Sequence, residues 1–154
     1  TLITQNVDNL QQRAGIRNVV ELHGNITHNY CIDCQKEATE EEMHAIAVGE
    51  PARCGDCSGY IRPGVVWFGE MLPEEAVDEA YEAARDAEVF LSIGTSAVVY
   101  PAAGIPLLAK EHGAYVAEIN TERSAIADEV DEVILGPSGD VLPRLIEAVR
   151  ALKR

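Results

Sequence analysis

The apolar residues of this chain fall in short runs separated by amphipathic stretches, a pattern typical of strands that alternate with helices. The strand candidates, in chain order, are TLIT, NVVEL, GVVWF, the buried run EVFLSI, AYVAEIN and DEVILG. The helix candidates are a short turn NLQQRAG that ends at Gly15, then PEEAVDEAYEAARDA, PAAGIPLLAKEHG and the closing SGDVLPRLIEAVRALKR. This alternation predicts an α/β fold built on a mostly parallel sheet.

One stretch does not follow this rhythm. Over residues 30–63 the regular apolar spacing fades, while cysteines, charges and glycines accumulate. We therefore predict a small inserted module at 30–63 and a main domain formed by residues 1–29 and 64–154.

Three polar loops follow predicted strands of the main domain. Their sequences are TQNVD, GTSAVVYP and INTE. Ligands of parallel sheets bind at the carboxyl ends of the strands, so we expect these loops to converge on one crevice.

Composition narrows the class of protein. A chain of 154 residues, 47% of them hydrophobic, can bury one sizeable core. A formal charge of −14 disfavours direct binding to nucleic acid and favours basic partners. No apolar run is long enough to span a bilayer, and the first residues lack the features of a signal peptide, so we expect a cytoplasmic protein without membrane contact.

The four cysteines are spaced as C-x2-C-x19-C-x2-C, at Cys31, Cys34, Cys54 and Cys57. This spacing is typical of a four-thiolate zinc site, which has no open position for water and is therefore structural. We predict one Zn²⁺ ion in the inserted module. Four unrelated buried or redox-active cysteines remain the alternative. The nearby His28 and His44 are not needed as ligands, and we expect them to be solvated.

His23 lies at the end of the predicted strand VVEL and is followed by Gly24, which allows a sharp turn. An imidazole titrates near neutral pH and can act as a general base. A hydrogen-bonded structural histidine is the competing interpretation at this point.

Six motifs in order then resemble the sirtuins, the NAD-dependent protein deacylases. They are TQNVDNL, ELHGN, the two cysteine pairs, RPGVVWFGE, GTSAVVYPAAG and EINTE. The motifs RPGVVWFGE and GTSAVVYPAA are most similar to the subgroup that includes bacterial and mitochondrial desuccinylases. The resemblance implies a Rossmann-like α/β fold, here incomplete at its N-terminal side, with the zinc module inserted.

The resemblance also implies roles for individual residues. The residues expected to contact NAD are Gln5, Asn6, Val7, Asp8, Gly94, Thr95, Ser96, Asn120, Thr121, Glu122 and Ser138. The residues expected to bind the acyl-lysine substrate as an added strand are Val66, Trp67, Phe68, Gly69, Glu70 and Val98. The competing interpretation is that VVWF is simply a buried core strand, and both can be true on alternating faces of the strand.

In the reaction that the resemblance implies, NAD is consumed as a co-substrate. The acyl oxygen attacks the anomeric carbon of the nicotinamide ribose and expels nicotinamide. His23 accepts a proton from the ribose hydroxyls, and hydrolysis releases lysine and O-acyl-ADP-ribose. The implied substrates are acyl-lysine proteins or peptides, and the activity is deacetylation, with desuccinylation or demalonylation also possible.

The family's glycine-rich phosphate loop has no counterpart in the sequence, which opens almost at TQN. We therefore expect a fragment of low activity by itself, or a chain complemented by another. The residues that would set acyl preference belong to the same missing part. Two further hypotheses stay open: a zinc-stabilised module that binds acyl-lysine or basic peptides without turnover, and an unrelated NAD-binding α/β domain.

Overall fold

A computed structural model describes residues 1–44 and 51–152. The chain divides into two compact units, Thr1–Val77 and Asp78–Arg154. The elements of the first are β1 (Leu2–Thr4), α1 (Leu10–Arg13), β2 (Val19–Glu21), β3 (Gly24–Cys31), α2 (Glu40–His44) and β4 (Ile61–Val65). Helix α3 (Glu74–Arg85) crosses the boundary, and β5 (Val89–Ile93), α4 (Ile105–Glu111), β6 (Tyr115–Asn120), β7 (Glu132–Leu135) and α5 (Ser138–Leu152) follow.

The predicted module at 30–63 lies within the first unit, and part of it, residues 45–50, is outside the described residues. The predicted division of the chain therefore stays a prediction. None of the helices that the structure describes has the length and apolar character to cross a lipid bilayer.

In the first unit, β1 and β2 form a parallel pair, with Leu2 opposite Val19 and Thr4 opposite Glu21. Helix α1 connects them and ends where the sequence predicted, at Gly15, whose φ is 88°. The pairing places the residues after Thr4 and after Glu21 at the same end of the two strands. The loop TQNVD and His23 therefore both lie at this end of the strand pair.

The rest of the first unit contains an antiparallel ribbon of β3 and β4, which the sequence did not predict because β3 (GNITHNYC) is polar. The register shifts between Asn25 and Asn29, so that residues 26–28 form a bulge. Within the bulge, the Ile26 amide donates to the carbonyl of Val7 at 2.9 Å. The ribbon is thereby attached to the loop after β1.

The predicted strand GVVWF is wrong in position. Strand β4 covers Ile61–Val65, and the chain leaves the ribbon after Val65. Polar contacts made by Arg62 and Glu70 bend residues 66–70 into a turn instead. The apolar character of this segment therefore reflects an exposed turn rather than a core strand.

The second unit is the predicted α/β body. Strands β5, β6 and β7 form a parallel sheet in that order, with Leu91 opposite Ala117 and Ile119 opposite Ile134. Helix α4 packs on β5 and β6, and its Ile105 is buried. The strands and helices predicted for this half are confirmed, although PAAG begins as a 3-10 turn at Ala102–Gly104.

The prediction that EVFLSI is buried is wrong for alternate residues. Val89, Leu91 and Ile93 are exposed, whereas Ser92 on the opposite face is only 4% exposed. Successive side chains of a strand point to opposite faces, so a fully apolar run can have one open face.

Candidate functional site

The four cysteines converge on one point in the first unit. All four Sγ atoms lie within 4.8 Å of one another. The separation is 3.4 Å between Cys31 and Cys57 and 3.8 Å between Cys34 and Cys54. Tetrahedral zinc with sulfur bonds of about 2.3 Å places its ligands about 3.8 Å apart. The cluster is therefore compatible with a structural zinc site, as the spacing predicted.

Each cysteine pair forms the same tight turn. The Gln35 amide donates to the Cys31 carbonyl and the Ser58 amide to the Cys54 carbonyl, both at 2.9 Å. The backbone N–H of Cys34 points at the Cys31 sulfur and lowers the pKa of that thiol to about 7. In the same cluster the pKa values of Cys34 and Cys57 are raised, so Cys31 is the one thiol of these three whose surroundings favour the metal-binding thiolate.

Side chains connect the two turns around the cysteines. Lys36, after the first pair, donates to Asp56 of the second at 2.7 Å. Glu42 accepts the amides of Gly55 at 2.6 Å and Thr39 at 2.7 Å, and so joins α2 to the second pair. The Lys36–Asp56 and Glu42–Gly55 contacts hold the module in addition to the sulfurs.

Among the residues whose side chains the structure describes, the sulfur cluster contains the four cysteines and not His28. His28 is exposed and its Nε2 lies 3.1 Å from Glu37, in agreement with the expectation of a solvated residue. The side chain of His44 lies outside the described residues.

His23 follows β2 and is half-buried. Its Nδ1 lies 3.0 Å from the carbonyl oxygen of Gln5. A carbonyl can only accept, so Nδ1 carries the hydrogen and Nε2 of the neutral ring is left with its lone pair. This tautomer can take up a proton at Nε2, as a general base requires.

The turn after His23 depends on two glycines. Gly24 has φ 75°, and a Cβ at this position would collide with the carbonyl oxygen of Gly64 in β4. The close approach also allows the Val66 amide to donate to the His23 carbonyl at 2.9 Å. The glycine after His23 therefore brings β3 and β4 together, as the sequence suggested.

The loop TQNVD is fixed beside His23 by short-range bonds. The Asn6 amide donates to Thr4 Oγ1 at 3.0 Å, and the Leu10 amide donates to Asp8 Oδ1 at 3.1 Å. Asn6 and Asp8 are exposed, while Val7 is half-buried and accepts the Ile26 amide. The structure thus brings Gln5 to Asp8 together with His23, with the side chains of Asn6 and Asp8 at the surface.

The segment predicted to bind substrate is the turn after β4. Trp67 is 54% exposed and Phe68 fully exposed, which excludes the interpretation of VVWF as a buried core strand. Gly69 has φ 91°, and the Glu70 amide donates to the Trp67 carbonyl at 3.0 Å. The turn is connected to His23 through the Val66 amide.

In the second unit, the loops that follow β5, β6 and β7 are bonded to one another, so GTSAVVYP and INTE meet as predicted, while the convergence of TQNVD with them stays a prediction. The Gly94 amide donates to the Ile119 carbonyl at 2.9 Å. Asn120 Nδ2 donates to the Thr95 carbonyl and the Gly136 amide to the Asn120 carbonyl, each at 2.8 Å. The remaining predicted residues lie close in sequence to these bonds: exposed Ser96, Thr121 and Glu122, and Ser138 at the start of α5.

Val98 lies in the same unit, in the loop between β5 and α4, and is 63% exposed. The predicted cofactor and substrate sets each contain residues from both units, and the roles of these residues remain a prediction.

Two residues of these loops were missed by the sequence interpretation. Arg62 bonds the substrate turn, and Glu118, only 1% exposed in β6, accepts the Ser124 amide at 2.8 Å and so holds the loop INTE. A charged residue inside an otherwise apolar strand was the available signal for Glu118. For Arg62 the available signal was its place at the start of the motif RPGVVWFGE, which ends at its partner Glu70, although no local period links the two residues.

The Sir2 family model matches residues 1–101 of the chain. A protein of Pyrococcus furiosus named NAD-dependent protein deacylase is 46% identical over 99% of this chain and 62% of its own length. NAD-dependent protein deacylase 2 of Pyrobaculum aerophilum is 52% identical over 97% of this chain and 59% of its own length.

Solved structures agree. A Sir2 homolog–NAD complex superimposes with a TM-score of 0.89 at 41% identity, over 98% of this chain and 58% of the other. A complex of Sir2 with p53 peptide and NAD⁺ gives 0.90 at 35% identity, over 97% and 62%. Sir2Tm bound to a propionylated peptide gives 0.89 at 36% identity, over 95% and 62%. The chain thus spans about three fifths of the length of these relatives, and over that length its fold is the Rossmann-like α/β fold with a cysteine module.

Proposed function

This chain belongs to the Sir2 family, and on that premise we propose that it acts in the NAD-dependent removal of acyl groups from protein lysines. The observation that carries the proposal is the bond from His23 Nδ1 to the Gln5 carbonyl, because it leaves Nε2 free to accept a proton. The same bond joins the base to the loop TQNVD, which is proposed to contact NAD.

NAD supplies the electrophilic carbon of its nicotinamide ribose when bound. His23 accepts a proton from a ribose hydroxyl at Nε2. Gln5, Asn6 and Asp8 offer amide and carboxylate groups that suit ribose hydroxyls and a carboxamide. In the second unit, Gly94 to Ser96 allow close backbone approach, and Glu122 suits an unphosphorylated ribose, which favours NAD over NADP. Val7, Asn120, Thr121 and Ser138 complete the proposed NAD set.

The proposed protein substrate is an acyl-lysine in an extended peptide. Val66, Trp67, Phe68, Gly69, Glu70 and Val98 offer backbone groups and exposed apolar side chains for it. A formal charge of −14 favours peptides with basic residues around the acyl-lysine. Four free cysteines fit a reducing compartment, and we place the activity in the cytoplasm.

The test is incubation of the zinc-loaded protein with NAD and either an acetyl-lysine or a succinyl-lysine peptide. We expect O-acyl-ADP-ribose from at least one peptide, and a loss of about 100-fold or more in His23→Ala with unchanged zinc content. His112→Ala is the matched control, because His112 Nδ1 also lies within bonding distance of a carbonyl, that of Leu108 at 2.9 Å, but His112 caps the C-terminus of α4 in the second unit. Product formation that persists in His23→Ala would contradict the proposal.

A second candidate is a peptide-binding module without turnover. The exposed, preformed turn at 66–70 favours it, because this turn is complete within the first unit. Peptide binding without any O-acyl-ADP-ribose would support this candidate over the enzyme.

A further inference from the structure

Arg62 donates several hydrogen bonds to the turn that follows β4 and to the end of that strand. Its guanidinium donates to both carboxylate oxygens of Glu70, from Nη1 at 2.6 Å and from Nη2 at 2.9 Å. Nη2 also donates to the Val65 carbonyl at 2.9 Å, and Nε to the Pro63 carbonyl at 3.4 Å. A single side chain thus contacts the last residues of the strand and the far end of the turn.

Glu70 closes the turn from the other side. The oxygen that accepts Arg62 Nη2 also accepts the Trp67 amide at 2.9 Å. The Arg62 guanidinium, together with this amide, lowers the pKa of the Glu70 carboxyl to about 2. The Glu70 carboxylate is therefore ionised near neutral pH and can accept all three of these bonds.

Two aromatic rings lie at the outer limit of a cation–π contact with Arg62. Its guanidinium carbon lies 6.0 Å from the ring centre of Tyr30 and 5.9 Å from that of Trp67. The Arg62 side chain is 23% exposed, while Trp67 is 54% exposed. A planar guanidinium that bonds in two directions at once is not replaceable by a lysine ammonium.

We propose that Arg62 and Glu70 form a clasp that fixes the turn 66–70 in its peptide-binding shape before substrate arrives, which makes Arg62 a positioning residue for acyl-lysine peptides. This inference rests on the proposed function for the peptide, and on the contacts above for the clasp. A turn that is ordered in advance does not lose further backbone entropy on binding.

Trp67 makes the clasp directly observable, because it is the single tryptophan of the chain and lies inside the turn. Its fluorescence reports on the turn without any catalytic assay. The variants are Arg62→Ala, Arg62→Lys, Glu70→Gln and the double variant R62A/E70Q. Two measurements are made on each: acrylamide quenching of Trp67 without ligand, and titration with an acetyl-lysine and with a succinyl-lysine peptide.

We expect Arg62→Ala to raise the quenching of Trp67 and to weaken peptide binding about tenfold, which corresponds to ordering the backbone of one residue. Arg62→Lys should weaken binding about threefold, since the ammonium keeps the charge but not the fork. The peptide affinity of R62A/E70Q should be no lower than that of whichever single variant, Arg62→Ala or Glu70→Gln, binds the peptide less tightly, because the two residues act as one unit. Where turnover is measured, the KM for peptide should rise while the KM for NAD stays unchanged.

Arg85→Ala is the matched control. Arg85 also lies 6.0 Å from the ring centre of a tyrosine, Tyr81, but it is exposed on α3 and makes no part of the turn. It should change neither quenching nor peptide affinity. A zinc content identical to that of the unmodified protein shows that a variant is folded. If Arg62→Ala does not fold by this criterion, Arg62→Lys takes its place as the test variant.

Unchanged quenching and affinity in the Arg62 variants would overturn the proposal, as would losses in the double variant that equal the product of the single losses. If the unmodified chain binds neither the acetyl-lysine nor the succinyl-lysine peptide, the positioning role is refuted together with the proposed peptide substrate. A failure confined to product formation, with peptide binding and quenching as expected, would refute turnover alone and support the clasp.

Discussion

The two units of this chain are stabilised by different means. In the first, the buried apolar residues that the structure describes include Val20 and Leu22 but also the zinc-site cysteines Cys31 and Cys54. In the second, Val116 and Ile119 form the buried centre of a parallel sheet. A unit with a small core depends on metal ligands, ion pairs and close backbone contacts, whereas a sheet covered by helices depends on apolar area. The units should therefore respond to different substitutions.

The largest effect is expected from loss of the metal site. Structural zinc contributes about 10–16 kcal/mol in zinc-finger peptides, which matches or exceeds the total stability of most domains. Cys31→Ala should therefore unfold the first unit and abolish zinc binding. Hydrogen exchange should show lost amide protection in β3 and β4 with smaller changes in β5 to β7. Equal loss in both sets of strands would contradict the contrast between the units.

The next largest effect concerns the close approach of β3 and β4. Gly24→Ala combines a positive φ with a collision against the Gly64 carbonyl, and we expect a loss of about 3 kcal/mol or more. Gly15→Ala is the control, since Gly15 has φ 88° but nothing within 4 Å of its added Cβ. It should lose about 1 kcal/mol in urea denaturation. Equal losses would show that backbone strain, not packing, decides at Gly24.

In the second unit, the buried Glu118 is a polar exception to the apolar centre. Glu118→Ala leaves the Ser124 amide without its acceptor and should destabilise the protein by about 1–3 kcal/mol. Glu118→Gln retains an acceptor oxygen, and should lose less and protect the Ser124 amide from exchange. Ser92 lies opposite Glu118 on the neighbouring strand β5. Its buried hydroxyl has no hydrogen-bond partner among the described residues. An effect of Glu118→Gln as large as that of Glu118→Ala would refute the role of this single bond.

The smallest effect is expected at Asp131. The Val116 amide, at 2.8 Å, and then Lys110, at 3.0 Å, lower the pKa of its carboxyl. A lowered pKa stabilises the fold above the ordinary pKa of 3.8, and this contribution disappears as the pH falls through the folded value. Asp131→Asn should thus lower the melting temperature near neutral pH, by a margin that shrinks in acid.

Asp128→Asn is the control for Asp131. Asp128 pairs with Arg123, but its side chain is 95% exposed, so its removal should change the melting temperature little at any pH. A pH-independent difference between Asp131→Asn and the unmodified protein would exclude the linkage argument.

Much of the fold and part of the site followed from sequence patterns with a strict physical cause. The spacing of Cys31, Cys34, Cys54 and Cys57 reflects the geometry of metal binding, which is local and invariant. The strands of the second unit alternate with amphipathic helices, a period that tertiary structure rarely overrides. Gly24 after His23 was informative because only a glycine tolerates that turn next to another backbone.

The errors arose where contacts distant in sequence decided the structure. The segment VVWF is apolar enough for a core strand, but the bonds from Arg62 to Glu70 turn it outward and expose Trp67 and Phe68. Strand β3 carries mostly polar side chains, and it forms because β4 pairs with it. The exposure of Val89 and Leu91 could not be predicted either, since an apolar run does not indicate which face of the strand is covered by other residues.

The bulge at 26–28 has a consequence for how such a chain can change during evolution. The strand on either side of it is paired in register, with Cys31 directly opposite Ile61. Inserting or deleting one residue between 29 and 31 would move Cys31 to the other face of the ribbon and away from its fellow ligands. A length change within the bulge would leave both paired segments as they are. The bulge is thus the point of β3 where insertions and deletions can be tolerated. Such a change would alter the number of residues between His23 and Cys31 without disturbing either paired segment.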